Sequence, residues 1–228
     1  MSVFLPNLRD VGGMSADGGL VKPGLLFRSA VPFASDLVPE GITWPPTTII
    51  DLRSSKESVI ESGHPLAGAG VEIHKIPLLT ELSPGEVPVD NLVDLYQLVL
   101  KSNSGRLVQV VETVADSTGA TLVHCAVGKD RTGISIAMVL SLIGVPRDEI
   151  VADYLETAKN TLDIRMRLAA MYGLDEPVPE SNFLRTPVAA IDGVLDLWES
   201  HATGATGWFT EVGGTDNTID KLRDSMVQ

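Results

Sequence analysis

Val123-His124-Cys125-Ala126-Val127-Gly128-Lys129-Asp130-Arg131-Thr132-Gly133 is entered from an apolar run, Thr121 to Val123, and followed by Ile134, Ala137, Met138, Ser141 and Leu142 at helical spacing. A buried strand therefore leads in and an amphipathic helix leads out. Cys125 falls where one ends and the other begins. A loop in that position turns unpaired backbone N–H groups toward the positive end of a helix macrodipole, which makes a seat for a phosphate-sized dianion. Gly128 and Gly133 permit the tight turn. Arg131 closes over it with a planar fork that grips two oxygens, as a lysine point charge does not. The same field favours the thiolate of Cys125, the nucleophilic form, and Thr132 is placed to donate its hydroxyl to that sulfur.

Cys125-x5-Arg131-Thr132, preceded by His124, resembles the signature of the cysteine-dependent protein tyrosine phosphatase superfamily. The fuller run His124 to Gly133 resembles, more narrowly, its bacterial tyrosine/serine phosphatases. Four other segments resemble that family in the same order: Asn7 to Gly13, Leu26 to Ala30, Ile50 to Ser54 and Ile150 to Leu155. The resemblance implies catalytic roles for Cys125 and Arg131 and phosphate or substrate binding by Ala126, Val127, Gly128, Lys129, Arg131, Thr132 and Gly133. It implies a phosphocysteine intermediate and neither metal nor other cofactor. For the general acid, Asp130 inside the loop is the first candidate. The family supplies an aspartate soon after a proline like Pro77, where this chain reads Leu78-Leu79-Thr80-Glu81, so Glu81 is the second. A lysine at Lys129 resembles lipid-directed members, which sets phosphoinositides beside phosphotyrosine and phosphoserine or phosphothreonine proteins as expected substrates.

The 228 residues suffice for one well-buried core, and 44% hydrophobic against 21% charged residues describes an ordinary soluble globular chain. One domain over 1–228 is expected, with the sheet and phosphate loop in 1–133 and mainly helix in 134–228. A net charge of -13 argues against nucleic acid and anionic membrane surfaces as bulk partners. A phosphate site must then be a local positive pocket, to which Arg28, Arg53, Lys129 and Arg131 can contribute. The single cysteine excludes an internal disulfide, and with four histidines leaves little for a soft-metal site. The start Met1-Ser2-Val3-Phe4-Leu5-Pro6 lacks the basic segment and apolar core of a secretory signal, and no run approaches the ~20 apolar residues of a membrane span. A cytoplasmic location is expected.

Strands are expected at Leu25 to Phe27, Thr47 to Leu52, Val71 to Ile76 and Thr121 to His124. Ser54-Ser55-Lys56-Glu57 is a capping box that starts a short helix. Two helices, broken at Ser102 to Gly105, fill 91–114; others follow at 147–158, 162–171, from Pro187 to about Ser200, and more weakly at 215–227. Short strands alternating with helices give an α/β fold: a mainly parallel central sheet flanked by helices, phosphatase-like, with a helical C-terminal part. Ligands then bind at the carboxyl ends of the strands, where Arg28, Arg53 and Cys125 all fall.

Beside this reading stand blander ones. Lone cysteines are usually small buried hydrophobes, but Gly128, Arg131 and Gly133 at these spacings favour the nucleophile. His124 is expected to orient the loop, and Arg9, Asp10, Asp51 and Arg53 to support it; Asp153, Tyr154, His64, His74 and His201 are given no role. A phosphate-binding module without turnover is the competing class, and a rhodanese-like sulfurtransferase a weaker one that Arg131-Thr132 argues against. A Walker-type nucleotide loop fails, because Asp130 rather than Ser or Thr follows Gly128-Lys129.

Overall fold

The structure is a computed structural model, describing residues 4–58, 63–79 and 91–228. Five strands make its main sheet: β1 (Arg9–Asp10), β4 (Leu26–Ser29), β5 (Thr48–Asp51), β6 (Glu72–Lys75) and β7 (Thr121–His124), while β2 (Ser15–Ala16) and β3 (Gly19–Leu20) form a separate hairpin. The sheet order is β1-β4-β7-β5-β6, and β4, β7, β5 and β6 run parallel; only β1 is antiparallel to its neighbour. The expected mainly parallel sheet is present, and β7 lies at its centre.

The helices are α1 (Ser55–Ser58), α2 (Leu92–Asp116), α3 (Asp130–Leu142), α4 (Arg147–Glu156), α5 (Thr161–Met171), α6 (Val188–Glu199), α7 (Gly204–Glu211) and α8 (Asp216–Met226). Because side chains alternate across a strand, each central strand sends residues two ways. Leu26, Ile50 and Val123 enter the large core with α2, α3, α6 and α8. Phe27, Ile49 and Leu122 face the other side, where Leu8, Ile42, Trp44 and Leu66 from loops cover them instead of helices. The flanking helical layer is therefore one-sided among the described residues. α3 is apolar nearly all round and correspondingly buried from Thr132 to Leu142 except Ser141.

Two expected helices in 91–114 form the single α2, with a kink at the foreseen break. Asn103 has non-helical angles (φ -132°, ψ 20°), and its buried side chain accepts the Leu79 N–H at 3.4 Å. That bond, with Arg106 Nη1 donating to the Pro77 carbonyl at 2.7 Å, ties α2 to the chain leaving β6. Glu81, the second acid candidate, lies just beyond, outside the described residues. The helix α7 was not expected: Gly204 and Gly207 sit within it, and its place is secured by Trp208 and Phe209, both buried in the large core.

Candidate active site

Cys125 follows β7 directly and is 1% exposed, with α3 starting at Asp130. What shapes the loop between them is the fate of its carbonyls. The Cys125 carbonyl lies 3.2 Å from His124 Nδ1, Val31 N–H donates to Ala126 O at 3.2 Å, and Asn7 Nδ2 donates to Val127 O at 3.4 Å. Gly128 O accepts both Asn7 Nδ2 and Arg28 Nη2, each at 2.8 Å. Four successive carbonyls are thus held by side chains and backbone outside the loop. In a trans peptide the next N–H points the opposite way, so the amides of Ala126, Val127, Gly128 and Lys129 are turned to the concave side. Gly128 is required for this: its φ is +69°, and a Cβ there would stand 2.2 Å from Ser29 O.

Arg131 reaches across to α1. Its Nη1 and Nη2 donate to Glu57 Oε2 and Oε1 at 2.7 and 2.6 Å, and Nη1 also meets Leu52 O at 3.3 Å. The capping box read from the sequence is present, Ser54 N–H donating to Glu57 Oε2 at 2.8 Å and Glu57 N–H to Ser54 Oγ at 3.3 Å, but its glutamate also fixes the orientation of the loop arginine. Burial would raise the Glu57 carboxyl; the hydrogen bonds and charge of Arg131, helped by Ser54, outweigh it and hold it below the usual range. The same pairing with Glu57, and the nearby Cys125 and Asp130, keep Arg131 charged despite its burial.

Beneath the loop, Arg28 and Arg9 both bind Asp153 on α4, Arg9 Nε at 2.7 Å. Arg9 Nη1 also donates to Asn7 Oδ1 at 2.5 Å, which aims the Asn7 amide at the loop. Burial pushes the Asp153 carboxyl up, and the two arginines more than offset it. Arg53 grips Asp51 through Nε at 3.0 Å and Nη2 at 2.9 Å. Arg28 and Arg53 are therefore supports rather than walls of the phosphate seat, and Asp153, given no role from sequence, is a keystone.

Asp130, whose side chain is 20% exposed, accepts Tyr96 Oη–H at 2.8 Å and Lys129 Nζ at 2.6 Å. Tyr96 also meets Tyr154 Oη at 2.9 Å, and burial, with Asp130 nearby, raises its phenol well above the ordinary value, so it stays a donor. Lys129 is 1% exposed, and its ammonium is committed to Asp130 and, at 2.9 Å, to Arg185 O. Ala126 and Val127 are buried under Ile164 of α5. The Thr132 hydroxyl is buried and makes no hydrogen bond among the described residues, so the expected bond to the Cys125 sulfur is not formed here. Gly133 N–H donates to Lys129 O at 2.7 Å and opens the α3 ladder.

Sequence reasoning missed Glu57, Asn7, Asp153, Tyr96 and His64. Asn7 and Asp153 lie in segments that carried the family resemblance, and Glu57 in the recognised capping box, so a signal existed for them. Nothing in the sequence marks His64, expected to be surface or half-buried but in fact 6% exposed, with Nε2 3.0 Å from His124 Nε2. A cavity of about 410 Å3 between β6 and α2, lined by Glu72, His74, Glu112 and Asp116 among others, includes no loop residue.

A family model described as the tyrosine phosphatase family matches residues 4–228. The chain belongs to the tyrosine phosphatase family. It is 26% identical over 273 residues to the triple specificity protein phosphatase PtpB of Mycobacterium tuberculosis, covering 97% of this chain and 96% of that one. A tyrosine-protein phosphatase of Nostoc commune is 32% identical over 151 residues, 61% of this chain and 50% of its own. Among solved structures, P. aeruginosa TpbA aligns with a TM-score of 0.40 at 18% identity over 75% of this chain and 86% of that one, too distant a likeness to carry weight. As a tyrosine phosphatase family member the chain acts on phosphorylated substrates, and no helix among its described residues is long and apolar enough to cross a membrane.

Proposed function

We propose that this chain hydrolyses phosphotyrosine in proteins through a phosphocysteine on Cys125. The observation that carries the reading is the set of four outward-held carbonyls from Cys125 to Gly128, which leaves the following amides free to bind a phosphoryl group in the loop that begins at Cys125. In this mechanism the Cys125 thiolate attacks phosphorus in line, the P–O bond to the leaving group breaks, and water then cleaves the P–S bond. The loop amides and Arg131, its orientation fixed by Glu57, stabilise the equatorial oxygens. Such a loop supplies positive charge from its own groups, so we propose that neither metal nor cofactor takes part.

Asp130 is the proposed general acid. It stands beside Arg131 in the loop, its side chain partly exposed and held in place by Tyr96 Oη–H and Lys129 Nζ. A phosphoinositide is the second reading, favoured by a lysine inside the loop; against it, Lys129 must first release Asp130 and Arg185. The test is a panel of phosphotyrosine peptides, phosphoserine peptides and inositol phospholipids on wild type and Asp130→Asn. The expected result is hydrolysis chiefly of phosphotyrosine. Asp130→Asn should lose ~10²- to 10⁴-fold in kcat on phosphotyrosine, while p-nitrophenyl phosphate, whose leaving group needs little protonation, falls much less. Equal loss on both would remove Asp130 from the acid role, and lipid hydrolysis above peptide hydrolysis would favour the second reading.

A further inference from the structure

Behind the loop, two buried histidines stand nose to nose, and their ring nitrogens have unambiguous partners. Leu66 N–H donates to His64 Nδ1 at 3.1 Å, so that nitrogen carries no proton and the neutral ring holds its proton on Nε2. His64 Nε2 faces His124 Nε2 at 3.0 Å, which makes the His124 nitrogen an acceptor. His124 then carries its proton on Nδ1, 3.2 Å from the Cys125 carbonyl. The chain of donors runs one way: Leu66 N–H, His64, His124, Cys125 C=O.

We propose that His64 is a positioning residue for the phosphatase reaction: by donating to His124 it fixes that ring as the neutral Nδ1–H tautomer, which pins the Cys125 carbonyl and so aims the Ala126 N–H at the phosphoryl group. The inference rests on the phosphatase reading of the loop. Asp51 joins the two rings in a compact buried group, with Oδ1 3.9 Å from His124 Nε2, that has the residue types of a metal site. The tautomers argue otherwise. A metal on His64 Nε2 needs the proton on Nδ1, where the Leu66 amide already points one, and Asp51 Oδ1 is taken by the Arg53 N–H and Nε, both at 3.0 Å.

The charges around the pair act on it from several elements: Asp51 at the end of β5 and Arg53 just after it, Lys75 on β6, and Arg131 on α3, beside Cys125 itself. Burial lowers the His64 imidazole most, followed by His124, with Arg53 and Lys75 adding and Asp51 opposing, to about 4. Burial likewise lowers His124, Asp51 opposing and Arg53 and Arg131 adding. Both rings are thus neutral over the working range. Without the His64 donor, the His124 Nε2 lone pair is open to a proton beside Asp51, and a cation then forms behind the loop in mildly acidic solution.

The experiment is long-range 15N–1H imidazole spectroscopy on wild type, His64→Gln and His64→Leu, joined to pH profiles of kcat/KM. Wild type should show His64 with its proton on Nε2 and His124 with its proton on Nδ1. His64→Leu should bring a new His124 ionisation into the acid limb and lower kcat about tenfold, the scale of partly misplacing one anion-binding amide, with KM little changed. His64→Gln, whose amide N–H reaches the same place, should keep the wild-type limb. A wild-type His64 protonated on Nδ1, a His64→Leu profile and His124 signals matching wild type, or one equivalent of zinc chloride binding to both rings would each overturn the proposal. The spectra need no substrate, so a wrong tautomer is distinguishable from failure of the phosphatase reading, which would show as no phosphate release by wild type. If His64→Leu does not fold, the wild-type tautomers and the His64→Gln profile decide the matter.

Discussion

At the residue scale the most consequential contact is the fork of Arg131 on Glu57, 2.7 and 2.6 Å long. It fixes the orientation of the guanidinium before substrate arrives, which lowers the reorganisation that binding requires. Glu57→Ala leaves the charge of Arg131 but frees its geometry, and misplacement by about 1 Å can cost ~10²-fold. The expected result in steady-state assays is a fall in kcat/KM of about that size, with thermal stability little affected beyond the lost cap, worth about 1 kcal/mol. Unchanged kinetics would mean the pair is incidental. The placing of Cys125, Asp130 and Arg131 together between β7 and the start of α3 was legible in the sequence because a loop motif concentrates its candidate residues in a few adjacent positions. Glu57, Asp153 and His64 were not assigned, because each acts from 60 to 125 positions away in the chain through a contact only the fold creates.

At the scale of elements, the loop owes its form to β7 and α3 on either side and to β4 beneath. Gly128 is the tightest point, with φ +69° and Ser29 O 2.2 Å from where a Cβ would stand. Gly128→Ala must therefore move β4 or the loop. It should lower the melting temperature, with a cost of the order of 1–3 kcal/mol for the strained backbone alone, and abolish phosphate release. A variant with wild-type stability and activity would show that the loop is looser than these contacts imply. The four parallel strands were readable from sequence because short β-branched runs bounded by turns mark a parallel core, while the short β1, β2 and β3 carry no such run. The loop-covered second face of the sheet was not, since the apolar residues Phe27, Ile49 and Leu122 show that a face is covered and not whether helix or loop covers it. The helix α7 escaped for a related reason: Gly204 and Gly207 speak against helix, and burial of Trp208 and Phe209 overrides them.

For the whole molecule, the buried histidines and carboxylates act on stability in one direction. His64, lowered to about 4, and His124, also lowered, stay neutral when folded but take up protons when unfolded below about pH 6.5, so their contribution is lost as pH falls from there. Asp51, Glu57 and Asp153 are all held below the ordinary carboxylate range, and theirs is lost further down, below about pH 4. The melting temperature should be level from neutrality to about pH 9, fall above that as unfolded Tyr96 and Tyr154 ionise while the buried phenols do not, fall between pH 6.5 and 4 with up to about 3 kcal/mol from His64, and fall more steeply beneath. A melting temperature that rises on acidification from neutrality would contradict this arrangement of charges. The central claim, that a phosphoryl group passes onto Cys125, is tested most directly by acid-quenching turnover of a phosphotyrosine peptide and locating the label by mass spectrometry. The account predicts a phosphorylated peptide containing Cys125 in wild type, unaffected by chelator, and neither adduct nor phosphate release in Cys125→Ala. Phosphate release by Cys125→Ala at the wild-type rate would contradict it.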